Sequence, residues 1–461
     1  MPETRAEKIV TSIETLISSR VLQEGERLPS IRGYAGKMKV SPSTVAEAYD
    51  RLVAEGRIYA RRGSGFYVSN HIEPVPLTHL GPELDREIDP FWVSRQSLDA
   101  DERSLKPGCG WLPANQMPVE VMKRALRKTG RSEEALFADY GSTQGSTNLR
   151  RSLSRRYIEE GLSVSPEQIL LTSSGTQAVD LVCRFLLQAG DTVLVDDPCY
   201  FNFQALLRAH KVSLISVPMG PEGPDVTLFE KALKTYKPKL YITNSAIHNP
   251  TGASLSPKVA HRLLNLAETH NLVIIEDDIF ADFEEDPSLR LAVLDGLDRV
   301  IRIGSFSKTL SASVRCGHIA AKAGWIDALI DLQVATSFGG PSPLATELIY
   351  NAISDSGYRR HLGSLRQSLA RQRREVADRL ADLAIKPWLM PRGGFYLWCR
   401  LPEGICSADL ARLALEENVI LAPGNVFSVS RNVSHFMRFN TSQMKAPKLY
   451  EMLERNLKKF S

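Results

Sequence analysis

Apolar positions along the chain follow two periods. Ala6, Ile9, Val10, Ile13, Leu16 and Ile17 recur at helical spacing and predict a first amphipathic helix. The run Gly25-Glu26-Arg27-Leu28-Pro29 breaks it, and Ser30 caps a second short helix from Ile31 to about Lys37. After a turn at Lys39-Val40, Ser41 is a good N-cap and Pro42 suits the first helical position. This third helix runs to about Glu55 and stops at Gly56. Arg57-Ile58-Tyr59-Ala60 and Phe66-Tyr67-Val68 flank Arg61-Arg62-Gly63-Ser64-Gly65, a hairpin with a basic, glycine-rich tip.

A different pattern follows. Residues 71 to about 100 carry Pro74, Pro76, Pro82 and Pro90 among acidic residues and read as a linker. Beyond it lie short β-branched runs: Ile169-Leu170-Leu171, Thr192-Val193-Leu194-Val195, Leu240-Tyr241-Ile242-Thr243, Leu272-Val273-Ile274-Ile275 and Val300-Ile301-Arg302-Ile303. Helical patterns or turn signals separate them. Such runs predict an α/β fold with a mostly parallel sheet covered on both faces. The expected division is 1–70, a linker at 71–100, and one large domain at 101–461.

Charge sharpens this division. Residues 1–70 hold eleven Lys and Arg against eight Asp and Glu, so most of the chain's net charge of +4 lies there. An anionic partner favours such a placement. The six cysteines form no C-x-x-C pair, which argues against a zinc or disulfide framework and for a reducing cytoplasm. No metal site is expected. The first eight residues lack an apolar h-region, so no signal peptide is expected. No apolar run approaches the ~18 residues that a membrane span requires.

The N-terminal plan is that of a helix-turn-helix with a wing. Its third helix enters the major groove of double-stranded DNA by its N-terminal end. Ser41, Ser43 and Thr44 are short donors at that end, and Arg32, Arg61 and Arg62 are placed to meet phosphates. The segment Gly25 to Arg32, followed by Thr44-Val45 and Gly63-Ser64-Gly65-Phe66, resembles the GntR family of winged-helix regulators over roughly residues 5–70. One departure is visible: many GntR-type proteins have Ser-Arg before the Thr-Val, where this chain has Ser41-Pro42. A base-reading arginine is therefore missing.

The large domain carries a chemical signature. In Arg302-Ile303-Gly304-Ser305-Phe306-Ser307-Lys308 an apolar strand ends in a small-residue loop that presents one lysine, with Arg315 seven residues later. Pyridoxal 5'-phosphate needs such a set: an amine for a Schiff base, and a hydroxyl and a guanidinium for its phosphate. Ser174-Gly175-Thr176-Gln177 follows a strand and opens a helix, whose free N–H groups suit a phosphate.

From about residue 100 onward these motifs, in order, resemble fold-type I, class I/II aminotransferases, which have a smaller C-terminal subdomain. The resemblance implies roles for individual residues. Gly175, Thr176, Gln177, Ser305 and Arg315 would hold the phosphate, and Lys308 would carry the cofactor. Tyr200 would stack on its ring, Asn249 would bond its phenolic oxygen, and Asp277 would face its ring nitrogen. Arg438 would grip a substrate carboxylate. Tyr140 matches a tyrosine often contributed across a dimer interface. His248, beside Asn249, reads as a satisfied loop histidine.

A second departure concerns the phenolic oxygen. Aminotransferases of this type usually place a tyrosine two or three residues after the ring-facing Asp, where it donates a second hydrogen bond. Here those positions are Ile279 and Phe280, and neither can donate. Another tyrosine, such as Tyr241, is a candidate substitute.

Reader, linker and aminotransferase-like domain together resemble the MocR subfamily of bacterial regulators. That resemblance implies a cytoplasmic homodimer that binds an operator and senses a small amine or amino acid through the cofactor. Two other functions fit the same residues: a working aminotransferase with an accessory reader, and a sensor of pyridoxal phosphate itself.

Overall fold

The computed structural model describes residues 4–18, 22, 25–55, 57–61, 63–69, 98–99 and 103–460 of the 461-residue chain. It divides into two units, Met1–Leu84 and Asp85–Ser461. The linker reading at 71–100 lies outside the described residues, apart from Leu98 and Asp99.

In the first unit the local signals dictate the elements. Helix α1 spans Arg5–Ser18, α2 Ile31–Met38 and α3 Pro42–Ala54. Ser30 Oγ accepts from Gly33 N at 3.1 Å, and Ser41 Oγ accepts from Thr44 N at 3.2 Å, so both predicted caps satisfy helical N–H groups. Lys39 makes the turn between α2 and α3 with φ +52°. Strands β1 (Ile58–Arg61) and β2 (Gly65–Val68) form the antiparallel hairpin. Ile9, Ile13, Val45, Tyr49, Leu52 and Ile58 are buried in one small core. Tyr49 is tied in further, its hydroxyl donating to Pro29 O at 3.0 Å.

The second unit is built on an eight-stranded sheet. Its strands are β3 (Ile169–Thr172), β4 (Thr192–Asp197), β5 (Ser213–Gly220), β6 (Gly223–Pro224), β7 (Leu240–Thr243), β8 (Val273–Asp277), β9 (Val300–Ser305) and β10 (Gly317–Ala320). Their order is β3-β10-β9-β8-β7-β4-β5-β6. β5, β4, β7, β8 and β9 are successive parallel neighbours, whereas β10 runs antiparallel between β9 and β3. The fully buried strands carry apolar side chains on both faces, because a separate hydrophobic cluster covers each face.

A smaller antiparallel sheet follows: β11 (Lys386–Pro387), β12 (Tyr396–Arg400), β13 (Ala422–Pro423) and β14 (Phe436–Asn440), in the order β11-β12-β14-β13. It has its own core, formed with the helices Ser356–Ala381, Ser407–Glu416 and Pro447–Leu457. Among the described residues no helix is long and apolar enough to cross a membrane.

Candidate functional site

The parallel strands all point their carboxyl ends to one edge, where α/β sheets place their ligand crevice. Ser174 to Gln177 follow β3, Tyr200 follows β4, Asn249 follows β7, Asp277 ends β8 and Lys308 follows β9. Arg438 comes from β14 of the small sheet.

Lys308 is half-buried and donates to the Gly110 carbonyl at 2.7 Å. Burial, then the charge of Arg438, pulls its ammonium down from 10.5 to about 8, with Cys109 and Asp277 opposing and Arg315 assisting. A lysine so placed is an uncharged nucleophile in a useful fraction of molecules near neutral pH. Asp277 is buried, and burial pushes its carboxyl up from 3.8 to about 7. The Ile279 N–H, 3.3 Å from Oδ1, and Asn244 oppose that rise, Asp278 adds to it, and Lys308 opposes it. The carboxylate is thus under-compensated, and a cationic ring nitrogen would satisfy it.

Arg438 shows the opposite need. It is 1% exposed. Its Nη1 donates to Asn249 Oδ1 at 2.9 Å and its Nη2 to Gly108 O at 2.8 Å, while its buried Nε has no partner. Among the described residues no carboxylate pairs with it. Burying an unneutralised guanidinium is costly unless an anion joins it, so a ligand carboxylate suits this position. Because Arg438 occupies Asn249 Oδ1, the amide nitrogen of Asn249 is left to donate elsewhere.

The phosphate end is a cradle of small residues. Ser174 caps the helix Gly175–Leu186 by accepting from Gln177 N at 3.0 Å. The first N–H groups of that helix, at Gly175 and Thr176, are left without intrahelical partners. A Cβ on Gly175 would stand 3.6 Å from Ser305 Cβ, which brings the helix start against the lysine loop. A Cβ on Gly317 would lie 2.5 Å from the Ser174 carbonyl carbon, so only glycine lets β10 approach so closely. Gln177 is engaged by its own side chain, accepting from Ser173 N at 2.5 Å and donating to Ser337 Oγ at 3.2 Å. Arg315 is exposed with φ +54°, a left-handed backbone held beside the pocket, and it makes no ion pair among the described residues. Amine, carboxylate, guanidiniums, helix start and small-residue floor therefore fit pyridoxal phosphate.

Tyr200 is half-buried and sits near both Arg438 and Asp277. Burial pushes its phenol up, Arg438 opposes and Asp277 assists. Tyr140 stands apart. It is 85% exposed, and among the described residues its ring stacks on no aromatic but the exposed Phe338, edge-on at 5.3 Å. The structure does not bring it to Lys308 within one chain.

Two sequence readings are changed or completed. Tyr241 is buried and its hydroxyl donates to Asp196 Oδ1 at 2.6 Å, so it cannot replace the tyrosine missing after Asp277. His248 belongs to the same network: Nδ1 lies 2.7 Å from Thr251 Oγ1, and Nε2 lies 3.3 Å from Asp196 Oδ2. It is a satisfied buried histidine. The segment Gly108 to Gly110 and Tyr396 escaped sequence reasoning. A short glycine-rich stretch and a strand-opening aromatic carry no local signal of a site.

In the reader, Ser41 Oγ lies 2.8 Å from Ser43 Oγ and 2.7 Å from Thr44 Oγ1, besides capping α3. Its hydroxyl is therefore engaged within the helix start. Ser43 and Arg32 are exposed, and Arg61 is exposed at the end of β1 opposite Gly65. Arg62 lies outside the described residues. Tyr59 and Tyr67 stack at 5.7 Å and stiffen the hairpin that presents Arg61.

Comparison with known proteins agrees with both halves. Residues 109–455 match the aminotransferase class I and II family, and residues 5–68 match the gntR family of bacterial regulatory proteins. The chain is 30% identical to the uncharacterized HTH-type transcriptional regulator YdcR of Escherichia coli, over 95% of this chain and 94% of that one. It is 27% identical to the HTH-type transcriptional regulator NorG of Staphylococcus aureus, over 92% and 98%. Among solved structures it resembles LysN of Thermus thermophilus, an α-aminoadipate aminotransferase solved with N-(5'-phosphopyridoxyl)-L-leucine. That likeness has a TM-score of 0.72 at 27% identity, covering 80% of this chain and 95% of LysN. The kynurenine aminotransferase of Pyrococcus horikoshii, solved in complex with PMP, gives 0.72 at 25% identity, over 79% and 93%.

Proposed function

The chain belongs to the aminotransferase class I and II family through residues 109–455, with a gntR-family reader ahead of them, and on that footing we propose that it is a pyridoxal-phosphate-dependent transcriptional regulator of the MocR type. The single observation that carries this reading is the joining of the two halves in one chain. The reader presents the exposed Arg32 and Arg61, and the large unit gathers Lys308, Asp277 and the unneutralised Arg438 in one crevice. Pyridoxal phosphate, when bound, supplies an electrophilic carbon that captures amines and a ring that withdraws electrons.

The chain's own residues define the effector. Lys308 offers the amine that an incoming amine displaces. Arg438 offers its orphaned Nε to a carboxylate, so the effector is a small amino acid or a related amine. Asp277 is left to face the cofactor's ring nitrogen rather than the effector. A homodimer suits the exposed pair Tyr140 and Phe338, large aromatics that solvent alone covers poorly. The reading also includes residence in the cytoplasm. A second reading is favoured by the completeness of the crevice: Lys308, Asp277 and Arg438 are all in place for transamination.

Titrating the cofactor-loaded protein with a panel of amines and amino acids separates the two. The measurements are the visible spectrum, keto-acid release and affinity for promoter DNA. A regulator shows a compound that shifts the band, releases little keto acid and changes DNA affinity. Sustained keto-acid release with unchanged DNA affinity makes the chain an aminotransferase first.

The reader gives its own expectation. Arg61→Ala weakens DNA binding across sequences, and the slope of log affinity against log salt falls by about 0.9, the loss of one phosphate contact. An unchanged slope takes Arg61 out of the phosphate footprint.

A further inference from the structure

The phenol expected two or three residues after Asp277 is absent from both Ile279 and Phe280, and the second of these has a tyrosine for a neighbour. Phe280 is buried and meets Tyr396 edge-on, with centroids 5.6 Å apart and planes at 77°. Tyr396 opens β12, is 5% exposed, and lies under the guanidinium of Arg438 at 4.1 Å from the ring centroid. Its hydroxyl makes no hydrogen bond with any described residue. That hydroxyl is nevertheless aimed at the centre of the crevice. A carbon added to Gly110 as a Cβ would stand 3.4 Å from Tyr396 Oη and 3.9 Å from Lys308 Nζ. One heavy atom at that point touches both groups, and only the bareness of Gly110 keeps the space open.

We propose that Tyr396 supplies the phenol of this site, donating a hydrogen bond from Oη to the anionic oxygen of the ligand held beside Lys308. With the cofactor bound, that oxygen is its phenolate; the inference rests on the cofactor reading above. Tyr396 is a donor throughout the neutral range. Burial pushes its phenol well up, with Arg438 opposing and Cys109 and Tyr200 assisting, so it keeps its proton. Among the described residues the geometry leaves it no other partner, so the hydroxyl is free to meet a ligand oxygen. A bond given to the phenolate stabilises the charged oxygen and loosens the proton at the adjoining lysine nitrogen.

The alternative is that Tyr396 only packs under Arg438. Tyr396→Phe separates the two, because it keeps the ring and removes the hydroxyl. The other charged and titratable groups facing this centre, Arg438, Cys109, Asp277, Arg315 and Tyr200, are kept in the variant. The measurement is the pH titration of the visible band in the full chain loaded with pyridoxal phosphate, a spectroscopic midpoint independent of turnover. The expected result is a midpoint raised by about one pH unit or more, the worth of one hydrogen bond to a charged oxygen. Adding Phe280→Tyr to Tyr396→Phe returns a phenol from the neighbouring ring and brings the midpoint back toward the wild-type value. A midpoint unmoved by Tyr396→Phe overturns the role of Tyr396 and leaves the cofactor reading standing. A shift that Phe280→Tyr does not reverse assigns the change to repacking and overturns it also. A wild-type protein with no visible band removes the cofactor, and both readings fall together.

Discussion

Lys308→Ala, loaded with pyridoxal phosphate and freed of excess cofactor, lacks the visible band of the Schiff base that the wild-type protein shows. The band requires a nitrogen joined to the cofactor. Lys308 is the amine that the crevice presents, converging with Asp277, Arg438 and Arg315. Retention of the band in the variant sinks the assignment. A companion measurement needs no cofactor. In the cofactor-free protein Lys308 is a half-buried cation whose folded pKa of about 8 lies below its ordinary 10.5. The folded state therefore binds fewer protons than the unfolded state between those values. Folding is penalised by this lysine at neutral pH, and the penalty fades as pH rises from about 8 toward 10.5. Lys308→Met is accordingly expected to stabilise the cofactor-free protein at pH 7 by about 1–2 kcal/mol, net of the lost bond to the Gly110 carbonyl. The gain shrinks over the same alkaline window in thermal melts. A Met variant that is less stable than wild type at pH 7 removes the claim that the site stores strain in its lysine.

Asp277 carries a matching strain of opposite sign. Its folded pKa of about 7 lies above the ordinary 3.8, so the folded state holds a proton that the unfolded state has released. Stability from this group is full below pH 4 and is lost as pH rises toward 7. A lysine that is hard to charge and a carboxylate that is hard to ionise share one crevice. Each is relieved by the same occupant, one that takes the amine into covalent union and offers a cation to the carboxylate. A site built only for packing has no reason to keep both.

What the sequence made legible follows from how local each signal is. The caps Ser30 and Ser41 and the wing glycines act within three or four residues, so their elements can be placed from composition alone. Lys308, Asp277 and Asn249 were legible because each follows or ends a β-branched strand. Tyr396 was not, since its meaning comes from neighbours remote in the chain: Phe280, Gly110 and Arg438. Gly110 reaches Lys308 across 198 residues. The antiparallel strand β10 was missed for a related reason. His318 and Gly317 interrupt its apolar run, and their use is long-range: Gly317 admits the Ser174 backbone, and His318 Nε2 lies 2.7 Å from the Tyr157 hydroxyl. Tyr241 shows the converse error. A tyrosine on a neighbouring strand was a reasonable candidate, but its hydroxyl points to Asp196.

Asp278→Ala is expected to be the most damaging single change to folding outside the crevice. Asp278 stands one residue beyond Asp277 and is buried, with side-chain exposure of 3%. Its Oδ2 accepts from Arg290 Nε at 3.0 Å and from Arg302 Nε at 3.0 Å. Arg290 is otherwise held by Glu284 at 2.6 Å, and Arg302 by Glu160 and the face of Tyr157 at 4.4 Å. Removing the central carboxylate leaves two buried guanidiniums sharing what remains, against each other's repulsion. Deleting one partner of a buried pair costs about 3–5 kcal/mol, because the surviving charge has no water to turn to. The same arrangement sets the pH behaviour. Burial alone would raise the Asp278 carboxyl, but Arg290 and Arg302 more than reverse that and hold it below 3.8. Its contribution is therefore full above about pH 4 and disappears only as pH falls through that lowered value. Denaturant melts of wild type and variant should differ by a constant amount from pH 5 to 8 and converge in acid. A difference under about 1 kcal/mol at pH 7 means that Glu160 and Glu284 carry the arginines without help. A convergence at alkaline pH contradicts the assignment of the carboxylate as the charged partner. Because Asp278 and Asp277 are chain neighbours, this cluster fixes the end of β8, and a change that loosens it tilts the ring-facing carboxylate as well.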